Sequence, residues 1–294
     1  MLAVDWGTSS LRIYRLDADG QIRDVRQSQN GILNIGDATF AATLESEAGD
    51  WIANGEAPVL MSGMIGSRQG WKEAAYLQCP AGIGEIASTM SKVAWNSHKA
   101  WIAPGLRCRH ASGVHDVMRG EEVQILGIVD NLGGGEHRIC LPGTHSKWAI
   151  VQNKNIVSFT THMTGEVFAI LKKHSILGHT MAIDRFSETA FLSGVTRSSH
   201  ADGLLHHLFG ARAQVLSDEL GEDESASYLS GILIGHELRS STAGSSEIHL
   251  LGSAELTTLY SLAASTMNIE TVIHDANAVA RGLYAVAQHL PGDA

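Results

Sequence analysis

Leu2-Ala3-Val4-Asp5-Trp6-Gly7-Thr8-Ser9-Ser10-Leu11-Arg12 decides how this chain is read, because the phrase returns about half a chain later. The second copy is Cys140-Leu141-Pro142-Gly143-Thr144-His145-Ser146-Lys147-Trp148-Ala149-Ile150-Val151. In both, an apolar strand runs into Gly-Thr-X-Ser and a second apolar strand leaves. A strand–turn–strand unit repeated at this spacing predicts two similar domains, each offering its turn to a shared cleft.

The turns are suited to anions. Glycine lets the backbone approach a ligand closely and reach conformations that other residues resist. Successive N–H groups can then form an anion-binding concavity. Around Gly7 and Gly143, the side chains of Thr8, Ser9, Ser10, Thr144 and Ser146 add hydroxyl donors. Asp5 stands just before the first turn, where a carboxylate can hold the water shell of Mg²⁺. The second turn has Leu141 at the matching place, so only the first can hold a metal in this way.

Asp-X-Gly-Thr-X-Ser at the N-terminus with a second Gly-Thr turn at mid-chain resembles the superfamily of sugar kinases, actin and Hsp70 ATPase domains. The likeness continues through Ser62-Gly63-Met64-Ile65-Gly66-Ser67-Arg68-Gln69-Gly70-Trp71, Cys79-Pro80-Ala81, Pro104-Gly105-Leu106-Arg107-Cys108 and Asp116-Val117-Met118-Arg119-Gly120-Glu121-Glu122. It ends with the second turn and Met163-Thr164-Gly165-Glu166. This order resembles the 2-dehydro-3-deoxygalactonokinase family and covers nearly the whole chain. The resemblance implies an α/β fold of two ribonuclease-H-like (actin-like ATPase) domains with an interdomain cleft. It also implies phosphorylation of a 2-keto-3-deoxy sugar acid on its terminal hydroxyl, with ATP and Mg²⁺ as cofactors.

Phosphoryl transfer needs charge neutralisation, in-line positioning and a base for the attacking hydroxyl. In related sugar kinases the base is an acid at the start of a helix just before the second phosphate turn. Glu121 fits their Gly-acid-X5-Gly pattern best, although they usually carry Asp; Asp116 and Glu122 compete for the role. Each of the latter could equally cap a helix. Lys147, after the second turn, is a candidate to offset charge on the transferred group or a solvated strand lysine. A sugar-acid carboxylate calls for a planar arginine fork. Arg68 is favoured, flanked by Ser67 and Gln69 in the loop that starts at Gly63, itself a candidate, with Arg107 and Arg119 as alternatives and Trp71 as a wall or a core residue. The nucleotide set comprises Asp5, Gly7, Thr8, Ser9, Ser10, Gly143, Thr144, His145 and Ser146, with Gly252 and Ser253 at the adenosine.

Composition sets outer bounds. A chain of 294 residues can bury a large core and divide into two domains. The net charge of −10 argues against nucleic acid or an anionic membrane as partner. Three cysteines, Cys79, Cys108 and Cys140, show no CxxC spacing and suit small buried thiols in a reducing compartment. Asp5 and Arg12 interrupt the first apolar run, and no stretch of about 18 apolar residues follows, so neither a signal peptide nor a spanning helix is expected. A cytoplasmic enzyme is the expectation; homo-oligomerisation is left open.

Strands are expected at 2–5, 11–16, 21–26, 58–62, 138–142, 147–151, 155–160 and around 248–251. Helices are expected at 38–54, 121–132, 165–174, 187–199, 203–220, 224–241, 253–266 and 276–290. The segment 63–80 reads as a structured functional loop. Gly133-Gly134-Gly135 lacks the GxxxxGK[ST] frame and reads as a helix stop, which puts the domain boundary between 1–135 and 136–294. His206-His207 reads as a helix-surface pair, and the Ala280-Arg281-Gly282-Leu283 helix as a closely packed structural element. Two rival functions remain at this stage. One is a kinase of another sugar or sugar acid, such as 2-dehydro-3-deoxy-D-gluconate. The other is a non-catalytic sugar- or nucleotide-sensing module, for whose extra domains the chain is expected to leave no room.

Overall fold

The opening strand is buried on both faces, as a central strand must be. In the computed structural model, which describes residues 1–55, 57–95, 98–110, 112–181, 185–242 and 244–291, β1 (Leu2–Trp6) has Leu2, Ala3, Val4 and Trp6 wholly enclosed. It pairs antiparallel with β2 (Leu11–Leu16), which pairs antiparallel with β3 (Ile22–Ser28). Helix α1 (Phe40–Ala53) starts where the Thr39 side chain accepts Ala42 N–H, and it turns Leu44, Ala48 and Trp51 inward. β4 (Val59–Ser62) lies parallel to β1 on its other side.

Shorter elements follow: β5 (Tyr76–Gln78), α2 (Ile83–Ser88), β6 (Ser91–Val93), β7 (Ala100–Ile102), β8 (Gly105–Arg109), β9 (His115–Met118) and α3 (Glu121–Leu126). The first sheet runs β3-β2-β1-β4-β7-β6, and β5-β8-β9 form a small separate sheet. The second half opens with β10 (Glu136–Leu141), β11 (Ser146–Gln152) and β12 (Asn155–His162). Helices α4 (Thr164–His174), α5 (Glu188–Arg197), α6 (Leu204–Leu216) and α7 (Ser225–Ser241) come next. The chain closes with β13 (Glu247–Leu250), α8 (Ala254–Ser265), β14 (Glu270–Ile273) and α9 (Ala278–Ala287). The sheet of this half runs β12-β11-β10-β13-β14.

Two compact units emerge. One comprises Met1–His137, Ala149–Phe159 and Asp275–Ala294; the other comprises Arg138–Trp148 and Thr160–His274. The first unit runs past the expected cut at 135/136 to His137, takes in Ala149–Phe159 and regains the chain at Asp275; the return of α9 to it is not legible in the sequence. Its cause is close packing: Gly282 lies so near α3 that a Cβ there would stand 1.9 Å from the Val123 carbonyl oxygen. The core of the first unit joins Leu2, Val4, Trp6, Leu11 and Ile13 to Leu44 and Trp51. In the second, Cys140, Trp148, Phe191, Ile248, Leu250 and Tyr260 form one cluster, and α7 is buried almost all round.

Two expectations are corrected. α3 ends at Leu126 and a short 3-10 turn, Val129–Asn131, precedes the glycine run, so Gly133–135 does not terminate the α-helix itself. His206 is exposed, but His207 is fully buried and its Nδ1 lies 2.9 Å from Nε2 of His236 on α7. The pair closes α6 onto α7 instead of facing solvent. Among the described residues, no helix is long and apolar enough to cross a membrane.

Candidate active site

Each Gly-Thr turn is braced by a later glycine. In the first unit, Gly7 N–H donates to Ser10 O at 2.9 Å and closes the turn. Gly31 then presses on its back, where a Cβ would meet Ser9 N and Ser10 N at 2.4 Å. Ile32 and Leu33 donate their N–H groups to the carbonyls of Gly7 and Thr8 at 3.0 and 3.1 Å. In the second unit, a Cβ on Gly165 would stand 2.5 Å from Gly143 O, and Glu166 N–H donates to Thr144 O at 3.0 Å. With these carbonyls tied back, the turns are held by their own main chain.

Asp5 is paired across the strands with Arg12 on one side and Ser62 on the other. Burial pushes its carboxyl up from the ordinary range, and the Arg12 guanidinium opposes that shift. Beside it the Ser62 hydroxyl is fully buried and has no hydrogen-bond partner among the described residues. Gly63 follows at φ 93, its Cα face turned to the Trp6 carbonyl, which a Cβ would meet at 2.8 Å. A desolvated carboxylate beside an unsatisfied hydroxyl fits Mg²⁺, which takes one or two carboxylates and keeps several waters. Among the described residues no cluster of three or more His, Cys, Asp or Glu suits an all-protein metal cage.

The three candidate acids part company. Glu122 is fully buried, both its oxygens accept Gly120 N–H at 2.9 and 2.8 Å, and burial, with the neighbouring Glu121 charge, pushes it up to about 8. It serves the start of α3 from inside. Glu121 occupies the first turn of α3, is partly exposed, and accepts Arg119 N–H at 3.0 Å. Asp116 lies on β9 and not at a helix start; it accepts Val117 N–H at 2.8 Å and stands 3.7 Å from His110 Nε2. The reading of Asp116 as a helix cap is thereby corrected, since the three-stranded sheet claims that segment.

The arginines separate as sharply. Arg68 is 88% exposed and pairs with Glu73 at 3.1 Å, and Ser67 and Gln69 lie beside it on the same surface loop. Arg107 is exposed on β8. Arg119 is buried: Nη2 donates to Ala74 O at 2.8 Å and the guanidinium lies 4.3 Å from the Tyr76 ring centroid. Its Nε and Nη1 are buried and have no acceptor among the described residues. Two orphaned donors on a planar cation suit a carboxylate ligand. Trp71 packs between Phe40 and Trp95, at ring centroid distances of 6.5 and 5.5 Å, and so belongs to the aromatic core.

Around the second turn, Lys147 is buried and donates to Thr161 Oγ1 at 2.7 Å. The solvated-lysine reading fails on that burial. His145 is half exposed and bonds Glu166. Gly143, Thr164 and Gly165 help to line a cavity of about 300 Å³. Phe168, Arg185 and Phe186, and Glu255, Leu256, Leu259 and Tyr260 of α8, line it as well. Ser253 caps α8, its Oγ accepting Leu256 N–H at 3.4 Å, with Gly252 just before it. The segment therefore opens the helix that lines the cavity. Ser62 and Glu237, both buried, are absent from the sequence-based site; only their surroundings mark them.

Comparison with known proteins gives consistent matches. A family model described as 2-keto-3-deoxy-galactonokinase matches residues 5–286. A Rhizobium meliloti (strain 1021) protein described as a probable 2-dehydro-3-deoxygalactonokinase is 38% identical over 294 residues, spanning 97% of this chain and 96% of its own. The 2-dehydro-3-deoxygalactonokinase of Escherichia coli (strain K12) is 33% identical, with 97% of each chain covered. A crystal structure from Sinorhizobium meliloti, described under the same kinase name, superposes with a TM-score of 0.92 at 37% identity, covering 98% of both chains.

Proposed function

The chain belongs to the 2-keto-3-deoxygalactonokinase family, and from that premise we propose that it transfers the γ-phosphate of ATP to the 6-hydroxyl of 2-dehydro-3-deoxy-D-galactonate in galactonate catabolism. It is an ATP-dependent carbohydrate kinase with the α/β fold of the actin-like sugar-kinase superfamily. The finer reading is that each half is ribonuclease-H-like. Its support is topological: β3-β2-β1-β4-β7 and β12-β11-β10-β13-β14 both set two strands beside the turn-bearing strand on one side and two on the other. The parallel neighbours are β4 in one half and β13 in the other. Two such halves sharing a cleft, with ATP held by both turns, form part of this proposal.

The observation that carries it is the pairing of the second glycine-braced turn with an apolar cavity in the same unit. Gly143 and Gly165 are among the residues that line that cavity, and Phe168, Leu256 and Leu259 give it apolar surface. A polyphosphate at the turn and a flat, largely apolar base along that surface match this lining. The start of α8 at Gly252-Ser253 adds the positive end of a helix.

In the reaction, Gly7, Thr8, Ser9 and Ser10, with Gly143, Thr144 and His145, hold the phosphates by main-chain and hydroxyl donors, and Ser146 closes the second turn from inside. Asp5 anchors the hydrated cation, which when bound draws charge from the phosphoryl oxygens. Arg119, a buried guanidinium with unsatisfied donors, supplies the cation for the sugar-acid carboxylate. Glu121 accepts the proton of the attacking hydroxyl, since it is the acid of the three that is neither sealed in the core nor drawn into the β9 sheet. Lys147, buried and held by Thr161, offsets charge from beside the second turn.

The test is ADP release with Mg-ATP and 2-dehydro-3-deoxy-D-galactonate, with the gluconate epimer alongside. Turnover on the galactonate form is the expected result. Turnover on the gluconate form alone would move the substrate, and none on either would overturn the assignment.

A further inference from the structure

Glu237 is a carboxylate set deep in the second unit, 3% exposed, near the end of a helix buried almost all round. Such a group is costly to bury unless its oxygens are fully used. Here they are. Oε1 accepts Trp148 Nε1–H at 2.7 Å. Oε2 accepts the Tyr260 hydroxyl at 2.8 Å and the Thr164 hydroxyl in a short contact. Tyr260 in turn lies 3.0 Å from Ser146 Oγ, and Ser146 Oγ lies 3.4 Å from Gly143 N.

This network has a direction. A carboxylate only accepts, so Tyr260 spends its one hydrogen on Glu237. Ser146 must then donate to Tyr260 and turn its lone pairs to the Gly143 N–H. Thr164 is fixed in the same way, and it is the first residue of α4, directly before the Gly165 that presses on Gly143. One buried carboxylate thus sets both sides of the second turn: the serine that closes it and the helix start that backs it.

We propose that Glu237 is a positioning residue for ATP, setting the second phosphate turn through Tyr260–Ser146 and through Thr164. The inference rests on the reading that this turn holds the phosphates of ATP. Nothing in Glu237 itself touches the nucleotide; it acts by fixing which hydroxyls and N–H groups remain free to do so.

Glu237→Gln tests it, because the substitution keeps the shape and reverses the polarity. Trp148 Nε1 only donates, so the new amide must turn its oxygen to Trp148 and its NH₂ to Tyr260 and Thr164. Both hydroxyls then have to accept, Tyr260 donates to Ser146, and Ser146 turns its hydrogen to Gly143 O, 3.5 Å away. The expected result is a rise of about tenfold in the ATP KM and in the ADP Kd, the scale of one misdirected buried hydrogen bond. The sugar-acid KM and the melting temperature should stay close to wild type. Tyr260→Phe should move the ATP KM the same way, and the double variant should be no worse than Glu237→Gln, because one chain of bonds is broken only once.

An ATP KM and ADP Kd unchanged or tightened in both folded single variants would overturn the proposal. So would equal losses for ATP and sugar acid accompanied by a fallen melting temperature, the signature of a merely structural role. If Glu237→Gln does not fold, Tyr260→Phe carries the same test. Wild-type protein that binds no ADP would instead refute the nucleotide reading itself, which keeps the two failures apart.

Discussion

Gly165 sits so close to Gly143 that a Cβ on it would fall 2.5 Å from the Gly143 carbonyl oxygen and 2.8 Å from Thr144 Cα. Gly31 bears the same relation to Ser9 and Ser10 in the other half. A methyl group at either place has only main chain to push against, so the turn itself must shift. Gly165→Ala is expected to lower kcat/KM for ATP by about 10²-fold, as a displacement near 1 Å does in an active site. Steady-state kinetics at saturating sugar acid checks this; an ATP KM and kcat within about twofold of wild type would show that the turn does not hold the phosphates.

Glu121 and Asp116 are separated by a paired substitution. Glu121→Gln should cost about 10²–10⁴ in kcat, the range for loss of a general base, with ADP still bound. Asp116→Asn should keep most activity, because that carboxylate is engaged by Val117 N–H and lies beside His110 on a strand. Single-turnover ADP formation distinguishes them, and the reverse pattern would hand the role to Asp116.

How much of this could be read from the chain follows from the range of the forces involved. The twin turns, the strands beside them and helices such as α1 are written in local patterns: apolar alternation, a Thr39 cap, and inward positions at Leu44, Ala48 and Trp51. The small sheet of β5, β8 and β9 is not, because Tyr76–Gln78 and His115–Met118 are too short and too polar to signal strands. The burial of His207, the orphaned Ser62 hydroxyl and the role of Glu237 come from contacts made far along the chain. A histidine on a polar-looking helix or a glutamate 89 residues from its tryptophan carries no local sign of its partner. Among the arginines, the glycine-rich setting favoured Arg68, whereas burial favours Arg119.

Arg119 and Arg68 therefore make opposite predictions. Arg119→Lys loses the planar fork and its stacking on Tyr76, since a lysine is a point charge on a flexible stem. The sugar-acid KM should rise by about 10- to 100-fold, one or two hydrogen bonds to a charged group, with the ATP KM unchanged. Arg68→Ala removes an exposed pair worth about 0–1 kcal/mol and should change neither KM by more than about twofold. Initial-rate kinetics with each substrate varied in turn decides between them; a sugar-acid KM that responds to Arg68 alone would return the carboxylate to the surface loop.

Glu122 and the His207–His236 pair tilt stability in opposite directions with pH. Glu122 titrates near 8 in the folded chain, against an ordinary value of 4.5, because it is buried beside Glu121. Between those values the native state keeps a proton that the unfolded chain has lost, so stability contributed by this site falls as pH rises. His207 and His236 are shifted the other way: burial lowers both below their ordinary 6.5, so the native pair stays neutral where unfolded histidines charge, and stability is lost as pH falls below that value. Glu122→Gln should remove the alkaline slope and leave the acid one. Its melting temperature relative to wild type is expected to climb from about pH 5 to about pH 8.5, whatever its offset at the low end. Thermal unfolding across that range measures the difference directly, and a constant offset between variant and wild type would mean that Glu122 is ionised in the core throughout.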